Sequence, residues 1–177
     1  AEKRFAIFET AAQWHINDYM VKAKRLYLLT KIKQLRALQV QLDEYRRRIE
    51  ALFASHPDSG TFGSLPGAGA KLAPRLLAEI GSDRALYESA QSLQCISGTA
   101  PVSYQSGKIS KVQMRRACNL HLRHTMHLLS DLSRAQCAWA KVYYEQAKAR
   151  GKTHAQALRC LGLRWLKIIY RMWQNRT

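Results

Sequence analysis

The stretch PVSYQSGKIS contains a serine whose neighbours could support chemistry at phosphorus. Ser106 precedes Gly107 and Lys108, and no acidic residue occurs between Glu88 and Asp131. A serine hydroxyl is a poor nucleophile until a base removes its proton or cations stabilise charge on its target. The acid-free interval supplies five candidate phosphate contacts: Lys108, Lys111, Arg115, Arg116 and Arg123. This composition favours phosphoryl transfer over acyl transfer, for which no G-x-S-x-G or S-x-x-K pattern is present.

Metal chemistry within this chain is not expected. A two-metal site needs several carboxylates, and after Glu88 the only acids are Asp131 and Glu145. A series at steps of three residues consists of Cys118, His121, His124 and His127. On a helix, steps of three drift by about 60° each, so these four side chains cannot converge on one ion. We therefore expect no metal and no cofactor bound by this chain.

The alternative to a catalytic Ser106 is a serine that only forms a turn of the chain.

The overall charge points to an anionic partner. The 177 residues carry a formal charge of +17, and an apolar fraction of 47% is that of a foldable globular protein. Nucleic acid is the commonest partner for such a charge, and an acidic membrane surface is the competing interpretation. No run reaches the roughly 20 apolar residues of a spanning helix, and the first residues do not resemble a signal peptide. We expect a soluble, cytoplasmic protein without a membrane partner, associated with the nucleoid.

The first third of the chain predicts one long helix, because neither proline nor glycine occurs from Glu2 to His56. Apolar residues recur there in a heptad pattern interrupted by Lys31. The members are Leu28, Leu35, Leu42 and Ile49, with Leu38, Tyr45 and Leu52 three residues on. This pattern favours a coiled-coil arm for self-association over residues 1–57, and the alternative is a helix packed on its own domain.

A glycine-rich turn opens the second predicted domain, residues 58–177. SLPGAGAKLAPRLLAEIG places Gly67 and Gly69 before an apolar helix that begins near Lys71 and ends at Gly81. Free backbone N–H groups at such a turn can hold a phosphate, as in the helix-hairpin-helix motif predicted at about 62–81. The alternative is a plain turn between packed helices.

The rest of the chain predicts more helices around one short interruption. A helix from about Ser89 to Ile96 precedes an irregular or hairpin segment around Ser106, and the next helix is expected from about Gln113 to Leu132. Thr153 and Gln156 have capping-box spacing at the start of the last helix. That helix has an apolar face and a ridge of Arg164, Lys167 and Arg171, which is either a nucleic-acid contact or a solvated face. The predicted fold class is all-α in the main: a long coiled-coil helix followed by a helical domain.

The order of these motifs resembles a known family. SLPGAGAKLAPRLLAEIG, CISGTAPVSYQSGK, RRACNLHLRH and the segment from WAKVYYEQ to the end are similar to the C-terminal transposase domain of the insertion-sequence one-ten family, the bridge-RNA-guided DNA recombinases. The resemblance covers about residues 62–177. It implies that Ser106 is the nucleophile that forms a phosphoserine link to DNA, although Gln105 stands where an acidic residue is common.

The resemblance also implies partners outside this chain. A RuvC-like domain with an Asp-Glu-Asp-Asp set would hold Mg²⁺ and complete the active site, and DNA and a structured guide RNA would be bound. The isolated chain is then expected to be inactive. Two alternative functions would explain the positive charge without catalysis by Ser106. One is a non-catalytic module that binds nucleic acid through its helix-hairpin-helix, and the other is an RNA scaffold.

Overall fold

A computed structural model of the chain describes residues 17–176 and divides it after Arg48 into two units. The long helix α1 runs from Asp18 to Ala54, and none of its residues is buried. The heptad residues are all exposed, from 49% for Ile49 to 72% for Leu52. The predicted long helix is therefore confirmed from Asp18 onward, and its first part lies outside the described residues. The coiled-coil pairing and the domain boundary at residue 57 stay predictions.

The second unit is built from short helices. The chain passes through α2 (Ser59–Gly63), α3 (Gly69–Ile80), a 3₁₀ turn (Arg84–Leu86), α4 (Ala90–Ile96), the hairpin β1 (Val102–Ser106) and β2 (Ile109–Gln113), α5 (Leu120–Gln136), α6 (Ala138–Ala149) and α7 (His154–Asn175). The fold class is thus predominantly helical, as predicted. Within residues 17–176, no helix combines the length and the apolar composition that a membrane span requires.

Side-chain caps determine where several of these helices begin. The backbone N–H of Leu122 donates to Asn119 Oδ1 at 3.0 Å, which satisfies one free donor at the start of α5. The predicted capping box at Thr153 and Gln156 is confirmed, with both reciprocal hydrogen bonds present. The prediction that α5 begins near Gln113 is wrong. Gln113 is paired with Val102 in the hairpin, so helical backbone cannot begin until the chain has left β2.

The core of the second unit lies between α3, α5 and α7. Leu161, Trp165 and Ile169 of α7 are buried, which confirms the apolar face predicted for the last helix. Burying a side chain of this size contributes about 1.5–3 kcal/mol each, so this face holds α7 in place. Gly162 permits a close approach to α5, since a Cβ atom there would lie 3.1 Å from Ser130 Oγ.

A buried polar cluster ties the end of α7 to the start of the unit. The carboxylate of Asp58 accepts hydrogen bonds from the Arg84 guanidinium and, at 3.1 Å, from Trp173 Nε1. Arg84 Nε also donates to the carbonyl oxygen of Trp173 at 2.8 Å. Because Asp58 is only 4% exposed, the cluster depends on each partner being present.

Candidate active site

Ser106 lies at the tip of an antiparallel hairpin, as the last residue of β1. It pairs with Ile109, and Gly107 and Lys108 form the two-residue turn between them. Gly107 has a φ of 55° and Lys108 a negative φ, which fits a type II′ turn and explains the glycine. Every residue of β1 and β2 is exposed. Of the two forms predicted for the segment around Ser106, irregular or hairpin, the structure has the hairpin, and its serine is accessible to a large substrate.

The pleat of the hairpin places one predicted cation on the same face as Ser106. Side chains alternate between faces along a strand, so Ser106 shares its face with Tyr104 and with their partners Ile109 and Lys111. Lys111 is the diagonal neighbour of Ser106, at a distance of about 7–8 Å between Cα atoms. Lys108 adjoins the serine in the turn. The structure therefore brings Ser106, Gly107, Lys108 and Lys111 together.

The predicted arginines form a second group, beyond the base of the hairpin. At that end Val102 pairs with Gln113, four residues from Ser106 along β1. A strand rises by about 3.3 Å per residue, so the base lies about 13 Å from the serine. Arg115, Arg116 and Arg123 follow the base rather than the tip. Lys108 and Lys111 therefore lie beside Ser106, whereas the three arginines lie toward the other end of the hairpin.

Arg123 also has a structural role, in the loop that leaves the hairpin. Its guanidinium donates to the carbonyl oxygen of Arg115 and, at 3.5 Å, to that of Arg116. A Cβ atom on Gly98 would lie 2.7 Å from Arg123 Nη2 and 2.8 Å from Cys118 Sγ. The loops on both sides of the hairpin therefore meet at this guanidinium.

The two glycines of the predicted helix-hairpin-helix have different surroundings. Gly67 has a φ of 80°, and a Cβ atom there would lie 2.8 Å from Leu132 Cβ on α5. Gly69 has a φ of 54° and no atom within 4 Å of its Cβ position. The start of α3 has no side-chain cap, and Lys71 is exposed in the first turn. Gly67 is thus required for packing against α5, whereas Gly69 and Lys71 face open space. Phosphate binding at this turn stays a prediction.

The charged neighbours that act on His127 of α5 are arginines and histidines rather than carboxylates. Burial, together with Arg159 and Arg123, holds the pKa of His127 below its ordinary value, so this ring is neutral at physiological pH.

Between residues 17 and 176, no group of three or more potential ligands could hold a metal ion. Asp131, one of the few acids after Glu88, is engaged by Arg134 Nε at 2.7 Å.

One groove was not predicted from the sequence, although the two residue patterns that form it are both present there. Trp139 and Tyr143 of α6 line it together with the basic ridge of α7. Two sequence features could have indicated the groove. Trp139 and Tyr143 form an aromatic pair at i and i+4, and the next helix along the chain carries cations at i, i+3 and i+7. Only the packing of α6 on α7 shows that the two patterns form one surface.

Comparison with known proteins identifies the family of this chain. Residues 60–145 match the family described as Transposase IS116/IS110/IS902. The chain belongs to this transposase family. It is 32% identical over 149 residues to the Streptomyces coelicolor protein named "Mini-circle putative transposase for IS117". The match covers 84% of this chain and 36% of that protein.

Two further relatives come from insertion elements. An uncharacterized 43.6 kDa protein of IS110 from Streptomyces coelicolor is 31% identical, over 90% of this chain and 38% of that protein. An uncharacterized 42 kDa protein of IS900 from Mycobacterium paratuberculosis is 30% identical, over 79% of this chain and 35% of that protein. The chain spans little more than a third of the length of these transposase-family relatives. The hairpin with Ser106 lies within the segment that matches the family.

Proposed function

We propose that this chain supplies the nucleophile of a DNA transposase, and that the nucleophile is Ser106. Its Oγ attacks a phosphorus atom of DNA, forms an O–P bond and displaces a strand end as the leaving oxygen. The serine proton passes to a base, and the leaving oxygen takes up a proton. The phosphoserine link keeps the energy of the phosphodiester, so a second strand end can reverse the reaction without ATP.

The observation that carries the proposal is the exposure of Ser106 at a tight turn beside two lysines. A protruding hairpin can reach a scissile phosphate in a duplex, and Gly107 allows close approach of the DNA backbone because it has no side chain. Lys108 and Lys111 would stabilise negative charge on the phosphate oxygens as it builds in the transition state.

We further propose that the site is completed by groups outside this chain. The described residues offer no carboxylate set for Mg²⁺, so metal ligands and a base would come from a RuvC-like domain. Mg²⁺ held there would polarise the scissile phosphate. The whole protein would use a structured guide RNA and would assemble through the exposed heptad face of α1, since apolar rows of this kind are buried when helices pair.

The proposal is tested by two serine variants of one hairpin in the full-length protein. Ser106→Ala should abolish recombination of a plasmid substrate. Ser110→Ala is the matched control, because Ser110 is an exposed serine paired with Gln105 on the opposite face. It should recombine at the normal rate. Normal recombination by Ser106→Ala would instead support a non-catalytic module in which this serine only turns the chain.

A further inference from the structure

A groove between α6 and α7 has the composition of a nucleotide-binding surface. Its volume is about 440 Å³, and it is lined by Trp139, Tyr143, Arg164, Lys167, Ile168 and Arg171. The four residues of α7 follow one another at i, i+3, i+4 and i+7, which places them in one row along the helix. Two aromatic rings therefore face a row of three cations with a single apolar residue among them.

The indole of Trp139 is held in position while part of it stays open. Its ring centroid lies 4.8 Å from that of Trp165, at an interplanar angle of 49°. Trp165 is itself fixed, because it is buried and its Nε1 donates to Ser133 Oγ at 2.8 Å. Trp139 remains 41% exposed. A large aromatic surface that is rigid and open to solvent is suited to stacking, since little conformational freedom is lost when a ring packs on it.

The cations of the groove lack acidic partners among the described residues. The Arg164 guanidinium lies over the Tyr143 ring at 5.7 Å, and its Nε donates to the Tyr143 hydroxyl at 3.4 Å. No acid occurs in α7, and no ion pair of Lys167 or Arg171 is found within residues 17–176. Glu145 is the only acid of α6, and two residues along a helix place it about 200° round from Tyr143. The groove is therefore positive and accessible, which complements an anion.

We propose that this groove binds an unpaired nucleotide of a single-stranded nucleic acid. The base stacks on the open part of Trp139, and the flanking phosphates lie on Arg164, Lys167 and Arg171. Aromatic rings alternating with cations are the general means of binding single strands, whereas bases within a duplex are already stacked and cannot reach such a ring. The inference rests on the proposed function only in taking nucleic acid as the partner, and it concerns a site distinct from Ser106.

The test measures fluorescence anisotropy of labelled oligonucleotides with the 177-residue chain. The probes are single-stranded dT12, single-stranded U12 and a 12-base-pair DNA duplex. Trp139→Ala should weaken binding of the single strands by about tenfold, given about 1–3 kcal/mol per stacked base, and Trp139→Phe should retain most of the affinity. Duplex binding should change by less than about twofold, since phosphate contacts dominate it. Comparison of dT12 with U12 tells whether the strand is DNA or RNA.

The charged row is tested separately from the ring. Arg171→Gln should lower the affinity for dT12 and reduce the slope of log K against log salt by about 0.7, the value for one phosphate contact with a single strand. Lys148→Gln is the matched control, because it removes the same charge from the opposite side of α6, half a turn from Trp139. It should leave single-strand affinity unchanged within about twofold.

Four results would overturn this inference. They are unchanged single-strand binding by Trp139→Ala, equal losses for single strands and duplex, equal losses for Arg171→Gln and Lys148→Gln, and displacement of dT12 by poly-glutamate as readily as by unlabelled dT12. Because Trp139 packs on Trp165, circular dichroism of each variant verifies folding, and the Trp139→Phe variant tests the ring without a cavity. Failure of the proposed function is a different result, since it appears as recombination by Ser106→Ala and does not involve this groove.

Discussion

Replacing Gly67 and Gly69 of the SLPGAGA turn separately by alanine distinguishes a role in packing from a role in phosphate binding. Both glycines have positive φ, so alanine in either place is strained by about 1–2 kcal/mol. The gain from a less flexible unfolded chain, about 0.4–1 kcal/mol, is common to both and cancels in their difference. Only the alanine at Gly67 meets neighbours, with Leu132 Cβ at 2.8 Å and the Leu132 carbonyl carbon at 3.0 Å. Overpacking of this kind costs about 1–3 kcal/mol.

Gly67→Ala should therefore be less stable than Gly69→Ala by about 1–3 kcal/mol. For a chain of this size, that difference corresponds to about 2–12 °C in Tm. The assay is thermal unfolding followed by tryptophan fluorescence, since Trp165 and Trp173 are buried in the second unit and report its unfolding. Equal destabilisation by the two variants, or a larger effect at Gly69, would refute the assignment of Gly67 to packing against α5.

The same pair tests the helix-hairpin-helix prediction. If the open start of α3 holds a phosphate, Gly69→Ala should weaken duplex DNA binding severalfold, because a methyl group would stand where the phosphate approaches. Lys71→Gln should weaken binding and reduce the salt slope by about 0.9, the value for one phosphate contact with a duplex. Full DNA affinity in both variants would leave this segment as a turn between packed helices.

Three further predictions follow from the described contacts. Asp58→Ala removes the acceptor of Arg84 Nη2 and of the indole N–H of Trp173, so it should destabilise the second unit by about 3–5 kcal/mol in urea unfolding. Folding lowers the pKa of His127, so as the pH falls the unfolded state binds a proton at this ring before the folded state does. The free energy of unfolding should therefore decrease as the pH drops through about 6.5, and it should decrease less steeply in His127→Gln. Replacing the exposed Leu35 by Asp should weaken self-association at least tenfold in sedimentation analysis, if the heptad face is an interface.

The sequence was sufficient for features with a local cause. The capping box at Thr153, the short interruption of the helices around Ser106 and the long helix from Asp18 depend on residues a few positions apart, and the structure confirms them. The start of α5 was predicted seven residues too early. There the alternation of β2 and the helical period overlap in sequence, and the pairing of Gln113 with Val102 determines the boundary.

Features that depend on packing between elements were not readable from spacing. Nothing in the sequence indicates that Arg123 hydrogen-bonds the loop after β2, or that Trp139 lies beside the ridge of α7. The predicted phosphate contacts fall into two separate groups for the same reason. Lys108 and Lys111 lie at the tip with Ser106, whereas Arg115 and Arg123 follow the base, because a hairpin separates residues that are close in sequence.

Mass spectrometry of a trapped protein–DNA complex tests the central claim most directly. The full-length protein is incubated with Mg²⁺ and a nicked substrate that releases its cleaved end, and is then digested with protease and nuclease. We expect a peptide that contains YQSGK with a nucleotide phosphate attached to Ser106, and no such peptide from Ser106→Ala. A phosphodiester link on another side chain, or recombination without any covalent adduct, would contradict it.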